Sequence, residues 1–164
     1  MSDTDKPEII TPPNALKAKV KVGGAGAVDM AVLEQAEQVI ASMADDYLDW
    51  VAQDLKNLRA AYETLRADPN NAENLERIFQ ISHDIKGQGG SFGFRLITQA
   101  GNSLCRFIES LANQETLTSA HLDAVGVHVD TMTLIIAEDL RDDGGAKGGA
   151  LMSGLNKMVE KLSG

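Results

Sequence analysis

Aromatic residues are scarce in this 164-residue chain, 4% of the total against 43% apolar residues overall. The core must therefore be aliphatic and alanine-rich, a composition that leans towards helical bundles. Cysteine occurs once, at Cys105, so no internal disulfide can form, and no Cys-His cluster offers a zinc framework. Stability has to come from packing. No apolar run approaches the roughly 18 to 20 residues that cross a bilayer, and the opening MSDTDKPEII lacks the basic-then-apolar order of a signal peptide. A cytoplasmic location is expected. Positive charge is also in short supply, with 15 Lys and Arg against 24 Asp and Glu and a net charge of −9. Phosphate backbones and anionic lipid demand a basic stripe, so neither nucleic acid nor membrane is an expected partner.

The length suits one domain, since single domains run from about 100 to 200 residues. Residues 1–27 carry three prolines, scattered lysines and Gly23-Gly24-Ala25-Gly26, and read as a flexible arm. Helical spacing begins with Met30, Leu33, Ala36, Ile40 and Met43, which predicts a first helix to about Ala44. Asp46 offers a cap for a second, with Leu48, Val51, Leu55, Leu58, Tyr62 and Leu65 in one stripe, ending at Ala67-Asp68-Pro69. Asn70 or Asn71 opens a third through Leu75, Ile78, Ser82, Ile85 and Gly89. After Ser91-Phe92-Gly93 a fourth carries Ile97, Ala100, Leu104, Phe107, Ile108 and Leu111. Thr118 caps a fifth, with Leu122, Val125, Val129, Met132, Ile136 and Leu140 facing in. A shorter amphipathic piece follows through Leu151, Leu155, Met158 and Leu162.

The expected fold is all-α: an up-down-up-down four-helix bundle with an extra N-terminal helix across one end and a short C-terminal helix outside. The domain limits read as a bundle over residues 28–143, followed by a Gly-rich linker and helix over 144–164.

The segment His83-Asp84-Ile85-Lys86-Gly87-Gln88-Gly89-Gly90-Ser91-Phe92-Gly93-Phe94 is the informative one. On a helical wheel His83 falls roughly 120° from the stripe of Leu75, Ile78, Ser82, Ile85 and Gly89, outside the core. Phe79, Gln80, Lys86, Gly87 and Gly90 share its face. A neutral imidazole keeps one lone pair at physiological pH and is a competent phosphoryl acceptor. Lys86, one turn on, can set an ammonium against the transferring oxygens. Gly87 removes a side chain beside the ring, so a partner can come close. Glycines 89 and 90 have a second reading, as a left-handed helix cap. His121 and His128 stand seven residues apart, about 10 Å by helical rise, too far to share a metal, and read as surface residues. The acidic groups at Asp45-Asp46-Asp49 and around Asp142-Asp143 read as solvated helix ends.

His83, Lys86, Gly87 and Gly93 fill the pattern His-x-x-Lys-Gly with a further Gly six residues on, which resembles the signature of histidine phosphotransfer domains. The run Lys-Gly-Gln-Gly-Gly-Ser-Phe-Gly-Phe also resembles the phosphotransfer domain of chemotaxis histidine kinases. The resemblance reaches from about Asp46 to Leu140 and implies a four-helix bundle. It implies a phosphoryl carrier in two-component signalling, with His83 phosphorylated on its outward ring nitrogen and the group relayed to or from receiver-domain aspartates. Receiver domains, or a histidine kinase, are the implied partners. No cofactor is expected in this chain, magnesium belonging to the receiver, and the carrier is expected to be a monomer rather than a turnover enzyme. One position departs from the pattern. Where relatives place Gln or Glu to bond the inner nitrogen of the histidine, Cys105 stands here, a poor substitute. Asn102 is an alternative orienting residue, and Cys105 then reads as a small buried hydrophobe. Two rival readings remain: a detached kinase phosphoacceptor domain, and a pseudo-carrier that binds receivers without accepting phosphate.

Overall fold

The computed structural model describes residues 29–163; the expected N-terminal arm lies outside them. The chain divides into two compact units, residues 1–45 and 46–164. Five helices occur among the described residues: α1 Met30–Ala67, α2 Ala72–Gly89, α3 Arg95–Leu111, α4 Ser119–Ala137 and α5 Gly145–Ser163. No strand occurs among them.

The first two predicted helices are one. Asp46 does not cap a new helix but sits inside α1, which runs unbroken for 38 residues. The reason is local: no glycine or proline lies between Met30 and Ala67, so an acidic cluster by itself gives the backbone no cause to stop. The expected helix across one end is therefore replaced by the first half of α1. In that half Leu33 is buried, while Val32, Val39, Ile40 and Met43 are exposed.

The second unit is built from stripes that meet. Val51, Leu55, Leu58, Tyr62 and Leu65 of α1, Ile78 and Ile85 of α2, Ile97 and Leu104 of α3, and Val125, Val129 and Met132 of α4 share one hydrophobic core. Pairings across helices fix the directions. Tyr47 near the start of the α1 stripe stacks on Phe92 after the end of α2, ring centroids 4.6 Å apart. Tyr62 and Arg59 of α1 meet Gly126 and Asp130 of α4 in reverse order, the second pair as an ion pair. Gly89 and Gly101 face Ile97 and Lys86 across α2 and α3 in the same antiparallel sense. The result is the expected up-down-up-down bundle.

The turn from α2 to α3 shows where each glycine is needed. Gly89 and Gly90 stay right-handed, with φ near −60°, so neither is the left-handed cap that their number suggested. Gly89 is needed for contact, because a Cβ there would lie 2.4 Å from Ile97 Cγ2. Gly93 takes the left-handed conformation, φ 82°, and ends a single 3-10 turn over Gly90–Phe92. Its carbonyl accepts the backbone N–H of Asp142 at 2.7 Å, and the Asp142 carbonyl accepts that of Leu96 at 2.6 Å. The turn beyond the motif is thus pinned to the segment between α4 and α5.

The C-terminal helix, 19 residues long, packs against α3 and α4 and explains a second departure from expectation. His121 and His128 are buried, not surface residues, because α4 is covered on more than one side and has no broad solvent face. His121 completes a capping box with Thr118, each side chain accepting the other's backbone N–H at 3.2 Å. His128 has no exposure at all. Its Nδ1 lies 2.7 Å from the Ala124 carbonyl and its Nε2 3.0 Å from Ser103 Oγ; its ring stacks on Phe107 at 5.8 Å. The neutral ring with the proton on Nδ1 satisfies both bonds, donating to Ala124 and accepting from Ser103.

Burial lowers the His128 pKa, against a smaller raising effect of the Ala124 carbonyl. The folded protein therefore resists protonating this ring while the unfolded chain, with an ordinary histidine near 6.5, does not. Stability from this group is complete above about pH 6.5 and is lost as pH falls towards the lowered folded value. Urea midpoints measured from pH 7.5 down to 5.5 are expected to fall, and His128→Gln to flatten that slope. An equal slope in the variant would remove His128 from the pH response.

Candidate functional site

The site is carried by α2. Asn71 caps its start, accepting the Glu73 N–H at 3.0 Å, and the inward stripe Ile78, Ile81, Ser82, Ile85 and Gly89 fixes its rotation. With that stripe buried, His83 must project outward, and 58% of its side chain is accessible. Its Nδ1 faces Asp84 Oδ1 at 3.8 Å, beyond hydrogen-bond range. On the side one turn earlier the ring lies near Phe79, centroids 6.1 Å apart.

The surrounding face matches the wheel closely. Gln80 is exposed and bonds Glu76 Oε1 at 3.3 Å. Gly87 and Gly90 are exposed, and a Cβ at Gly87 would meet nothing within 4 Å. Phe79 is half-buried at the flank of the α2 stripe and packs on the core. Lys86 is half-buried and its Nζ reaches Asn102 Oδ1 on α3 at 3.5 Å. Thr98 Oγ1 donates to the Lys86 carbonyl at 3.0 Å, holding the same turn from below.

The two residues considered for orienting the His83 ring bond elsewhere among the described residues. Asn102 takes Lys86, and Cys105 directs its thiol at the Phe79 carbonyl, 4.0 Å away. Cys105 is buried, and burial pushes its thiol pKa up. It packs as a small hydrophobe beneath Phe79.

Two residues at this site escaped the sequence reading. Gly101 of α3 faces the turn that carries His83: a Cβ there would lie 3.1 Å from Lys86 Cβ and 3.3 Å from the Ser82 carbonyl oxygen. Only the facing helix reveals that need. Asp54 of α1 has its carboxyl pKa raised by burial and by the charge of Asp84. The imidazole has the Asp84 carboxylate beside it and the Lys86 ammonium one turn on, so a dianionic phosphoryl group is repelled by the first and attracted by the second.

Beside Phe79 an apolar groove of about 340 Å³ opens between α2 and α3, lined by Leu75, Phe79, Ile108 and Leu117 with Glu76 and Glu109 at its edge. Among the described residues no group of three or more His, Cys, Asp and Glu is arranged to hold a metal ion, and no helix is long and apolar enough to cross a membrane.

A family model described as Hpt domain matches residues 42–142. Comparison with curated proteins and with solved structures gives no match.

Proposed function

Because the chain belongs to the Hpt domain family, whose members serve histidine phosphotransfer in phosphorelays as phosphocarrier modules, we propose that His83 is its phosphoacceptor and that receiver-domain aspartates are its donors and acceptors. The observation that carries this reading is the exposed imidazole beside Lys86 and the bare backbone of Gly87. Nε2, the nitrogen turned away from Asp84, attacks the phosphorus of a receiver aspartyl phosphate in line. The N–P bond forms as the P–O bond to the carboxylate breaks, and the aspartate leaves as a free carboxylate. Magnesium is supplied by the receiver's acidic pocket. Lys86, steadied by Asn102, neutralises charge on the equatorial oxygens, and the groove beside Phe79 accepts part of the receiver surface.

Mixing the protein with a phosphorylated receiver domain and following label on both tests the proposal. Label is expected to leave the receiver and appear on this chain. Receiver binding with no label transferred would instead favour the pseudo-carrier, a reading supported by the lack of a side-chain bond to the His83 ring among the described residues. Direct labelling by a kinase catalytic domain, with none from receivers, would favour the detached acceptor.

Lys86→Ala is expected to leave the fold intact, since its head lies off the core stripe and reaches the exposed Asn102. Loss of one exposed charge-assisted contact costs about 1 to 2 kcal/mol in the transition state, roughly five- to thirty-fold in transfer rate. Rapid-quench transfer measurements check this, and an unchanged rate would take Lys86 out of the mechanism.

A further inference from the structure

We propose that Thr98 of α3 is a positioning residue for phosphoryl transfer, acting through Lys86; this rests on the reading of His83 as phosphoacceptor with Lys86 beside it. Threonine hydroxyls inside a helix commonly turn back on the carbonyl four residues earlier. Thr64, Thr131 and Thr133 do so here, donating to Ala60, Val127 and Val129 at 2.7 to 3.0 Å. The corresponding carbonyl for Thr98, that of Phe94, takes its backbone N–H at 3.4 Å. Its Oγ1 instead crosses to α2 and donates to the Lys86 carbonyl, 3.0 Å away.

The two helices are shaped for that reach. Lys86 lies in the last turn of α2, where helical donors run out and carbonyls take partners from outside. Thr98 Oγ1 comes so close that a Cβ on Gly89 would stand 2.7 Å from it, so the bare Cα there admits the hydroxyl as well as Ile97. One turn along the same face of α3, Asn102 Oδ1 accepts the Lys86 ammonium at 3.5 Å. Gly101 brings the backbone of α3 against the stem, where a Cβ would lie 3.1 Å from Lys86 Cβ. Lys86 is thus held at its carbonyl, along its stem and at its head.

A free lysine head must be ordered each time charge develops on the phosphoryl oxygens, whereas a cation already in place needs no such reorganisation. Fixing the Lys86 carbonyl fixes the backbone from which the ammonium swings. His83 lies one turn back on the same helix, so the Thr98 hydroxyl governs where the cation stands relative to the imidazole.

Phosphoramidate, a small donor that needs no docking surface, is the probe. As it phosphorylates the full chain, the His83 Nε2–P bond forms, the P–N bond breaks and ammonia leaves with the bonding pair. The rate of acid-labile labelling on the peptide containing His83 is compared across variants. Thr98→Val is expected to label about fivefold more slowly than wild type, the equivalent of one neutral hydrogen bond. Thr98→Ser, which keeps the hydroxyl, should recover most of that loss, and Thr98→Val should cost nothing further in a Lys86→Ala background. Thr98→Ala compared with Thr98→Ser, differing by the hydroxyl alone, carries the same expectation and stands if the valine variant fails to fold. A wild-type rate without the hydroxyl, or an equal loss with and without Lys86, overturns the proposal and leaves His83 as the acceptor. Wild-type protein that takes no label at His83 overturns the underlying reading, and the proposal with it.

Discussion

Gly87→Leu is expected to give a protein more stable than the wild type that has lost most of its phosphotransfer. A Cβ at Gly87 meets nothing within 4 Å, so the new side chain projects into solvent without disturbing a neighbour. Exchanging glycine for leucine inside an exposed helix removes a propensity cost, a gain of about 0.5 to 1 kcal/mol. Circular dichroism is therefore expected to show equal or greater helicity and a raised melting temperature. The added bulk lies one turn from His83, on the face by which a receiver must approach within bonding reach of the imidazole. A displacement of about 1 Å from in-line geometry costs on the order of a hundredfold in rate. Unimpaired transfer by a folded Gly87→Leu protein would show that no close approach occurs along this face.

The same substitution on the facing helix is expected to act in the opposite way. Gly101 is buried, and even a methyl group there presses on Lys86 Cβ and the Ser82 carbonyl at 3.1 and 3.3 Å. Gly101→Leu must push α3 away from the turn that bears His83. Overpacking of this kind costs about 1 to 3 kcal/mol and more where backbone has to move, so a loss of about 3 kcal/mol in urea unfolding is expected, with transfer falling alongside. Gly101→Ala, with only the tight Cβ contact, should lose less of both. A fully stable Gly101→Leu protein would mean that the two helices are not held at this distance in solution.

These two glycines mark what could be read from the sequence. Gly87 was recognised because its setting is local: it lies one turn from a histidine on a helix whose buried stripe was already evident. Gly101 lies within an ordinary run of α3, and its need for a bare Cα comes from α2. The stripes of α2, α3 and α4 were legible because apolar spacing encodes a buried face directly, as was the Thr118 cap. The continuity of α1 was missed because Asp46 resembles a cap, whereas helix ends also require something that stops the helix. His121 and His128 were misplaced because a wheel separates one buried face from one wet face, and α4 is also covered by α5. The left-handed position is Gly93 rather than Gly89 or Gly90, and Gly89 serves instead the close approach of α3, where a Cβ would meet Ile97 and Thr98. The coupling of Asp54 to Asp84 joins residues some thirty apart in sequence, which no local pattern reveals.

The family places the chain in histidine phosphotransfer, but the assignment of the reaction to one imidazole rests on local geometry. His83 is open to solvent, whereas His128 is buried and bonded at both ring nitrogens and His121 is engaged in a helix cap. Localising the label after incubation with a phosphorylated receiver, in wild type and His83→Gln, tests that assignment most directly. Acid-labile, base-stable label on the peptide containing His83, and none on the variant, is the predicted result. Acid-labile label that persists in His83→Gln, or that maps to the peptide containing His121 and His128, would contradict it.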